Sequence, residues 1–136
     1  MKLSLVSDSL ANLPFEKMLD AAQAHGISGV EVNTGNWSSA PHVDLTGLLA
    51  SKKARKAFLD HFDRRDLSVV ALNCNGNQLH PVTGANQDRV VRDTIRLSGI
   101  LGLKMVVLMS GLPAANETDW HPIGLLLPGQ RKTRNN

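Results

Sequence analysis

The chain has 136 residues, of which 42% are hydrophobic and 20% charged, so it has the length and composition of one globular domain. The formal net charge of +3 comes from the last residues, at 131, 132 and 134, and the neutral remainder, with two Trp, three Phe and no Tyr, excludes the usual basic, aromatic-rich nucleic-acid surface. No apolar run approaches the roughly 20 residues of a membrane helix and no signal-peptide core follows Met1, so we expect no membrane partner and a cytoplasmic location.

The first third of the chain predicts a strand, a helix and a second strand. The apolar run Lys2 to Val6 is the first predicted strand, and Pro14 is well placed for the first turn of the helix that follows. Phe15, Met18, Leu19 and Ala22 share one face of that helix, which is predicted to stop at His25-Gly26. Ser28 to Val32 is the second predicted strand.

The same alternation continues to about residue 110. A helical stretch follows the polar loop that ends at Pro41, with Ser51 able to cap it and an apolar stripe of Ala54, Phe58 and Phe62. The remaining predicted elements are a strand over Leu67 to Leu72, a helix over Gln87 to Leu101 and a strand over Lys104 to Met109.

Four strands, each separated from the next by a helix, predict an α/β fold with a parallel sheet. Neither a GXGXXG nor a GXXXXGK[ST] phosphate loop is present, which disfavours an open nucleotide-binding sheet. About four βα units make half of a (β/α)8 TIM barrel, whose usual length is roughly 250 residues. Cys74 is the single cysteine, and we expect it to be a buried, reduced thiol.

Two of the predicted strands end in dense polar clusters. The run VVALNCNGNQLHP, from Val69 to Pro81, passes from apolar residues into Asn73 and later His80, and GVEVNTGNW, from Gly29, passes into Asn33 and Trp37. Because parallel strands place their carboxyl ends at one edge of the sheet, these residues predict one shared pocket.

Each candidate has a structural interpretation beside the functional one. Glu31 lies inside an apolar strand, so its carboxylate is expected either to pair with a base such as Lys2 or to face the pocket. The amides of Asn33 and Asn73 suit sugar hydroxyls, although Asn also serves tight turns. Trp37 suits the apolar face of a sugar or the closing of the barrel mouth, and His80 suits either a ligand or a loop contact.

Three segments resemble a known family: GVEVNTGNWSSAPHVDL, AFLDHFDRRDLSVVALNCNGNQLHP and DRVVRDTIRLSGILGLKMVVLMSG. They are similar to the N-terminal half of the sugar phosphate isomerase/epimerase family, which has the xylose-isomerase-like barrel fold. The resemblance covers about Met1 to Pro113, and its most specific parts are the NWSSAPH loop and the NGNXLHP turn. It implies isomerisation or epimerisation of a sugar or polyol with a divalent metal, Mn, Mg, Co or Zn, in the complete enzyme.

In that family the metal-binding Glu, Asp and His residues come mainly from the later strands of the barrel. We therefore divide the chain into residues 1–113, the N-terminal half of such a barrel, and a divergent basic tail, residues 114–136. We expect a truncated chain that binds no metal by itself, with its catalytic residues unknown. The residues expected to form its substrate-binding wall are Glu31, Asn33, Trp37, Asn73 and His80.

Two other classes of function remain open. One is a non-catalytic fragment that acts as a binding or assembly module, and the other is a metal-dependent, endonuclease-like hydrolase on the same fold. The neutral body of the chain disfavours the hydrolase. A half barrel also leaves its first and fourth strands at open edges, which predicts a homodimer through the sheet edges or aggregation.

Overall fold

The structure, a computed structural model, describes residues 2–114 and 118–120. Most of the predicted basic tail, 114–136, therefore lies outside the described residues, as do the three basic positions near its end. Within the described ranges, no helix is long and apolar enough to cross a membrane.

One parallel sheet organises the described chain. Its four strands lie in the order β1-β2-β3-β4, and every neighbouring pair is parallel. The strands are β1 (Ser4–Val6), β2 (Gly29–Asn33), β3 (Ser68–Asn73) and β4 (Val106–Val107). At least one helix separates each strand from the next, so the predicted α/β fold of a partial (β/α) barrel is confirmed.

The helices follow the predicted apolar stripes with two differences. They are α1 (Phe15–Ala24), α2 (Leu45–Ala50), α3 (Lys52–Asp63) and α4 (Gly84–Leu101), and a short 3-10 helix, Ser7–Leu10, follows β1. The stretch predicted as one helix is divided at Ser51, whose backbone is extended and whose hydroxyl accepts from the Ala54 N–H at the start of α3. The last helix begins at Gly84, three residues before the predicted start at Gln87.

The hydrophobic core lies between the helices and one face of the sheet. Val30 and Val32 of β2 and Leu72 of β3 pack with fully buried side chains of the helices, including Met18, Leu19, Phe62 and Leu97. Burying each of these side chains contributes roughly 1.5–3 kcal/mol, so this layer dominates the stability of the fold. On the opposite face of the sheet, Val6 and Val70 are 39% and 40% exposed, whereas Ala71 is buried.

A bulge sets the register of that opposite face. Val30 pairs with Val69 while Glu31 pairs with Ala71, so Val70 is an additional residue in β3. A Cβ atom on Gly29 would collide with the Val70 side chain, which explains why glycine begins β2. Beyond the bulge the strands realign, and Asn33 pairs with Asn73.

The fourth strand is shorter than predicted. In its pairing with β3, Leu72 lies opposite Val106 and Asn73 opposite Val107, and the N–H groups of Leu72 and Cys74 donate to the carbonyls of Met105 and Val107. Past Val107 the side-chain amide of Gln78 donates to the carbonyls of residues 109 and 110. The observed strand, Val106–Val107, therefore occupies only the middle of the predicted range Lys104 to Met109.

Candidate functional site

The centre of the candidate site is a carboxylate–amide pair on adjacent strands. The Asn73 side-chain N–H₂ donates to Glu31 Oε1 at 2.6 Å, where Asn73 is buried and Glu31 half-buried. A carboxylate inside a sheet requires such a donor because removing it from water unpaired is costly. The observed partner of Glu31 is thus Asn73 and not Lys2, which was one of the two expected alternatives.

Asn73 is held from several directions. Its Oδ1 accepts from the Asn75 N–H at 2.9 Å, which forms a turn directly after the strand. Its backbone carbonyl accepts from both the N–H and the hydroxyl of Thr34, at 2.8 and 3.0 Å. The Thr34 hydroxyl also bonds the hydroxyl of Thr94 on α4, and both threonines are buried. This network fixes the amide that faces Glu31.

Asn33 lies beside Asn73 in register and is fixed by a residue that the sequence reasoning did not select. The Ser7 hydroxyl donates to Asn33 Oδ1 at 3.2 Å and accepts from the Asn33 N–H at 3.0 Å. Ser7 is fully buried and directly follows β1. The sequence does contain a signal for it, since β1, like β2 and β3, passes abruptly into polar residues, Ser7 and Asp8. Asp8 then accepts from the Ser38 hydroxyl at 2.8 Å.

The loop after β2 is fastened to the loop after β3. The Trp37 N–H donates to the Asn75 carbonyl at 3.0 Å, and the side chain of Asn36, whose φ is +66°, donates to the Cys74 carbonyl at 2.9 Å. The indole of Trp37 is 64% exposed. An exposed indole is available for stacking on a ligand, and the interpretation of Trp37 as a residue that closes the barrel mouth stays open beside it.

His80 lies in the loop between β3 and α4 and has a local structural role. Its Nδ1 accepts from the N–H groups of Val82 and Thr83, at 3.1 and 3.2 Å, and its carbonyl accepts from the Gly84 N–H. Because Nδ1 is an acceptor, the ring proton of the neutral form lies on Nε2. The imidazole therefore organises the turn that begins α4, and Nε2 is the ring atom left for a ligand.

Asn77 fastens the same loop to the segment after β4. Its Oδ1 accepts from the N–H groups of Leu79 and Leu112, and its amide donates to the Leu112 carbonyl at 3.0 Å. The Asn77 N–H itself donates to the side chain of Gln87. Both polar atoms of the Asn77 side chain thus have partners within the protein, so Asn77 is a structural residue of the loop.

The structure brings Glu31, Asn33 and Asn73 together at the carboxyl ends of β2 and β3, with the Trp37 loop bonded next to them. His80 follows the same end of β3 but bonds its own turn. Cys74 directly follows Asn73 in the chain and is fully buried. Burial raises the pKa of its thiol, and a hydrogen bond to Thr94 opposes this shift in part. A thiol of that kind is a packing residue and a poor nucleophile.

The described residues do not fit a metal centre. Among residues 2–114 and 118–120, no three His, Cys, Asp or Glu side chains gather closely enough to hold a metal ion. One oxygen of Glu31 already accepts from Asn73, and Asp8 is bound by a serine hydroxyl. We therefore assign no step through a metal to these residues.

The comparisons with known proteins find a relative without a described activity. No family model matches the chain. The chain is similar to the uncharacterized protein YfiH of Bacillus subtilis (strain 168), with 47% identity over 123 residues. The match covers 90% of this chain and 39% of that relative, so the chain spans about two fifths of the length of the curated protein that it matches.

Proposed function

We propose that this chain is the substrate-binding wall of a barrel enzyme that isomerises or epimerises a sugar or polyol, similar to the sugar phosphate isomerases and epimerases. The observation that carries the proposal is the Glu31–Asn73 pair beside Asn33, at the carboxyl edge of a parallel sheet. Active sites of βα barrels lie at that edge. A carboxylate that accepts and amides that both donate and accept match a row of neighbouring hydroxyl groups.

The role of these residues is to bind and orient. Glu31 accepts from a substrate hydroxyl with the oxygen that Asn73 does not occupy, and the amide of Asn33 donates to the next hydroxyl. Trp37 covers the apolar face of the ring. Moving a proton between adjacent carbons also requires a base and an electrophile. In our proposal the complete enzyme supplies them, together with a divalent metal (Mn, Mg, Co or Zn) that residues outside the described part of the chain would hold.

The proposal includes a small sugar or polyol as the ligand, no nucleic-acid partner, a cytoplasmic location and a homodimer formed through the sheet edges.

A second candidate, a non-catalytic binding or assembly module, is favoured by one observation. Apolar side chains at both edges of the sheet are strongly exposed, with Leu3 at 47% and Met105 at 57%. Such surfaces are typical of sites where another polypeptide docks.

Ligand binding by the purified chain tests the proposal. Saturation-transfer NMR and calorimetry with a panel of ketoses, polyols and their phosphates should detect at least one ligand, bound by the wild-type chain. Glu31→Gln should lower the affinity for that ligand by about ten-fold, since a hydrogen bond to a charged group contributes roughly 1.5–3 kcal/mol. Asp63→Asn is the matched control, because it removes one carboxylate charge from an exposed position on α3. Equal affinity of Glu31→Gln and wild type would refute the assigned site.

A further inference from the structure

Both outer strands of the sheet present backbone groups without a strand neighbour among the described residues. In β4 the groups of Met105 and Val107 are turned toward β3, since their carbonyls accept from the N–H groups of residues 72 and 74. Successive residues of a strand turn their backbone groups to opposite edges, so Val106 and Leu108 turn theirs outward. In β1 the Leu3 carbonyl accepts from Ser28, so Ser4 and Val6 turn theirs outward.

We propose that a second copy of this 136-residue chain docks on these edges, with β4 of each copy beside β1 of the other, to close an eight-stranded parallel barrel. The described residues of each copy supply four parallel strands in sequential order, and two copies related by a twofold axis along the barrel supply eight. The helices of both copies then lie outside, and the sheet face that carries Glu31 lies inside. This inference does not depend on the proposed substrate, because it uses only the sheet.

The register of the closing pair follows from the observed pairing. Val6 pairs with Glu31, and Glu31 with Ala71. The pairing of Leu72 with Val106 extends this row to Met105. An eightfold barrel has a shear of about eight residues, so half a barrel advances by about four. Met105 is therefore expected opposite Lys2 of the second copy.

Continuing that register gives an independent check. Val107 then lies opposite Ser4 of the second copy, and Val106 opposite Leu3. In a parallel pair, a residue bonds to the two positions that flank its partner. Val106 would thus bond Lys2 and Ser4 of the second copy, and Ser4 and Val6 are the residues whose groups are turned outward. A shift by one residue would direct donors to groups that β2 already binds, so the predicted register is the compatible one.

The closure also covers the exposed apolar side chains. Leu3 beside β1 and Met105 and Leu108 beside β4 are 38–57% exposed and lie at the two edges that would meet. Val6 and Val70, 39% and 40% exposed, lie on the sheet face that would become the barrel interior. Unpaired backbone groups at the edge of a sheet are a template for pairing with another chain, and here the strand of matching direction is supplied by the same chain.

A further consequence concerns the candidate site. A twofold axis along the barrel keeps the carboxyl ends of all eight strands at one end, so both copies of the Glu31–Asn73 pair would face one mouth. The substrate-binding walls of the two copies would thereby face one another across that mouth.

A charge introduced at position 105 by substitution tests both the identity of the partner and the register. Multi-angle light scattering of the purified full chain should give twice the 14.7 kDa of one chain at micromolar concentration. Met105→Lys places a like charge opposite Lys2 of the second copy twice per dimer and should raise the dimer dissociation constant on the order of ten-fold. Met105→Glu is the matched control, because it also adds a charge but should keep or strengthen the dimer.

Restoration and cross-linking complete the test. Lys2→Glu combined with Met105→Lys should restore the dimer. With Cys74 replaced by Ala, the variant Ser4→Cys/Val107→Cys should form a disulfide-linked dimer, whereas Leu5→Cys/Val107→Cys should not, because Leu5 lies on the opposite face. Within one chain β1 and β4 are separated by three strand spacings, roughly 14 Å, which is too far for a disulfide. A monomeric wild-type chain, or equal dissociation constants for the two charge variants, would overturn the proposal.

Discussion

Replacing Asn73 by Ala probes the hydrogen-bond network at the strand ends. The side chain of Asn73 donates to Glu31 Oε1 and accepts from the Asn75 N–H, and the residue is only 4% exposed. The alanine variant keeps the backbone carbonyl that binds Thr34. It therefore removes two side-chain hydrogen bonds and leaves the strand ladder in place.

The expected loss follows from the character of the two bonds. A hydrogen bond to a charged group contributes roughly 1.5–3 kcal/mol and one between neutral groups about 1 kcal/mol. Because Glu31 is half-buried, water replaces part of the first bond, and we expect the free energy of unfolding to fall by about 2 kcal/mol. Against a typical domain stability of about 5–15 kcal/mol, this loss is readily measured.

Urea unfolding at pH 7 and a single protein concentration measures the loss. Asn73→Asp provides a second readout, because it places a carboxylate next to Glu31 and should destabilise the fold at pH 7. That deficit should shrink at pH 4, where one of the two carboxyl groups takes up a proton. An Asn73→Ala variant within 0.5 kcal/mol of wild type, or a pH-independent Asn73→Asp deficit, would show that the pair does not form in solution; the 0.5 kcal/mol limit is roughly the spread of neutral surface substitutions.

Three further predictions concern other parts of the chain. Assays with ketoses and polyol phosphates plus Mn, Mg, Co or Zn should show no turnover by this chain alone, and robust metal-dependent conversion would contradict the assignment of binding without catalysis. Burial raises the pKa of Cys74 above its ordinary value of 9.0. The contribution of this thiol to the free energy of unfolding should therefore decline as the pH rises from that value toward the folded-state pKa, and Cys74→Ala should remove this part of the pH dependence. His80→Ala should accelerate hydrogen exchange at Val82 and Thr83 and cost about 1 kcal/mol, whereas unchanged exchange would mean that the ring does not hold the turn.

The strands and helices were predictable because each depends on local sequence. The apolar runs that become β2 and β3 and the stripe of Phe58 and Phe62 on α3 are periodic over a few residues, and the structure buries both phenylalanines. The division of one predicted helix at Ser51 was harder to predict because the apolar pattern continues across it. The two helices are separated at Ser51, whose N–H donates to the Gly47 carbonyl of α2 and whose hydroxyl accepts from the Ala54 N–H of α3.

Partners that are distant in sequence could not be predicted. Ser7 and Asn33 are 26 positions apart, and Thr34 and Thr94 are 60 apart, so no local pattern links their hydrogen bonds. The same holds for the contact after β4, where Gln78 from another loop binds the carbonyl groups of residues 109 and 110. The sequence did indicate that Glu31, Asn33 and Asn73 share an edge, because that follows from parallel strands alone, but it could not select Asn73 over Lys2 as the partner of Glu31.

Stability alone gives little reason for a carboxylate–amide pair in the middle of a sheet. Replacing both partners of a buried hydrogen bond by apolar groups of similar shape is often neutral or stabilising, whereas removing one is costly. We therefore expect Glu31→Val/Asn73→Val to unfold at a denaturant concentration equal to or above that of Asn73→Ala, because β-branched residues suit strands and no unpaired carboxylate remains. The same double variant should lose all binding of the sugar or polyol ligand. Such a stable, ligand-free protein would show that the pair serves recognition, and retention of the ligand would place the binding site elsewhere on the chain.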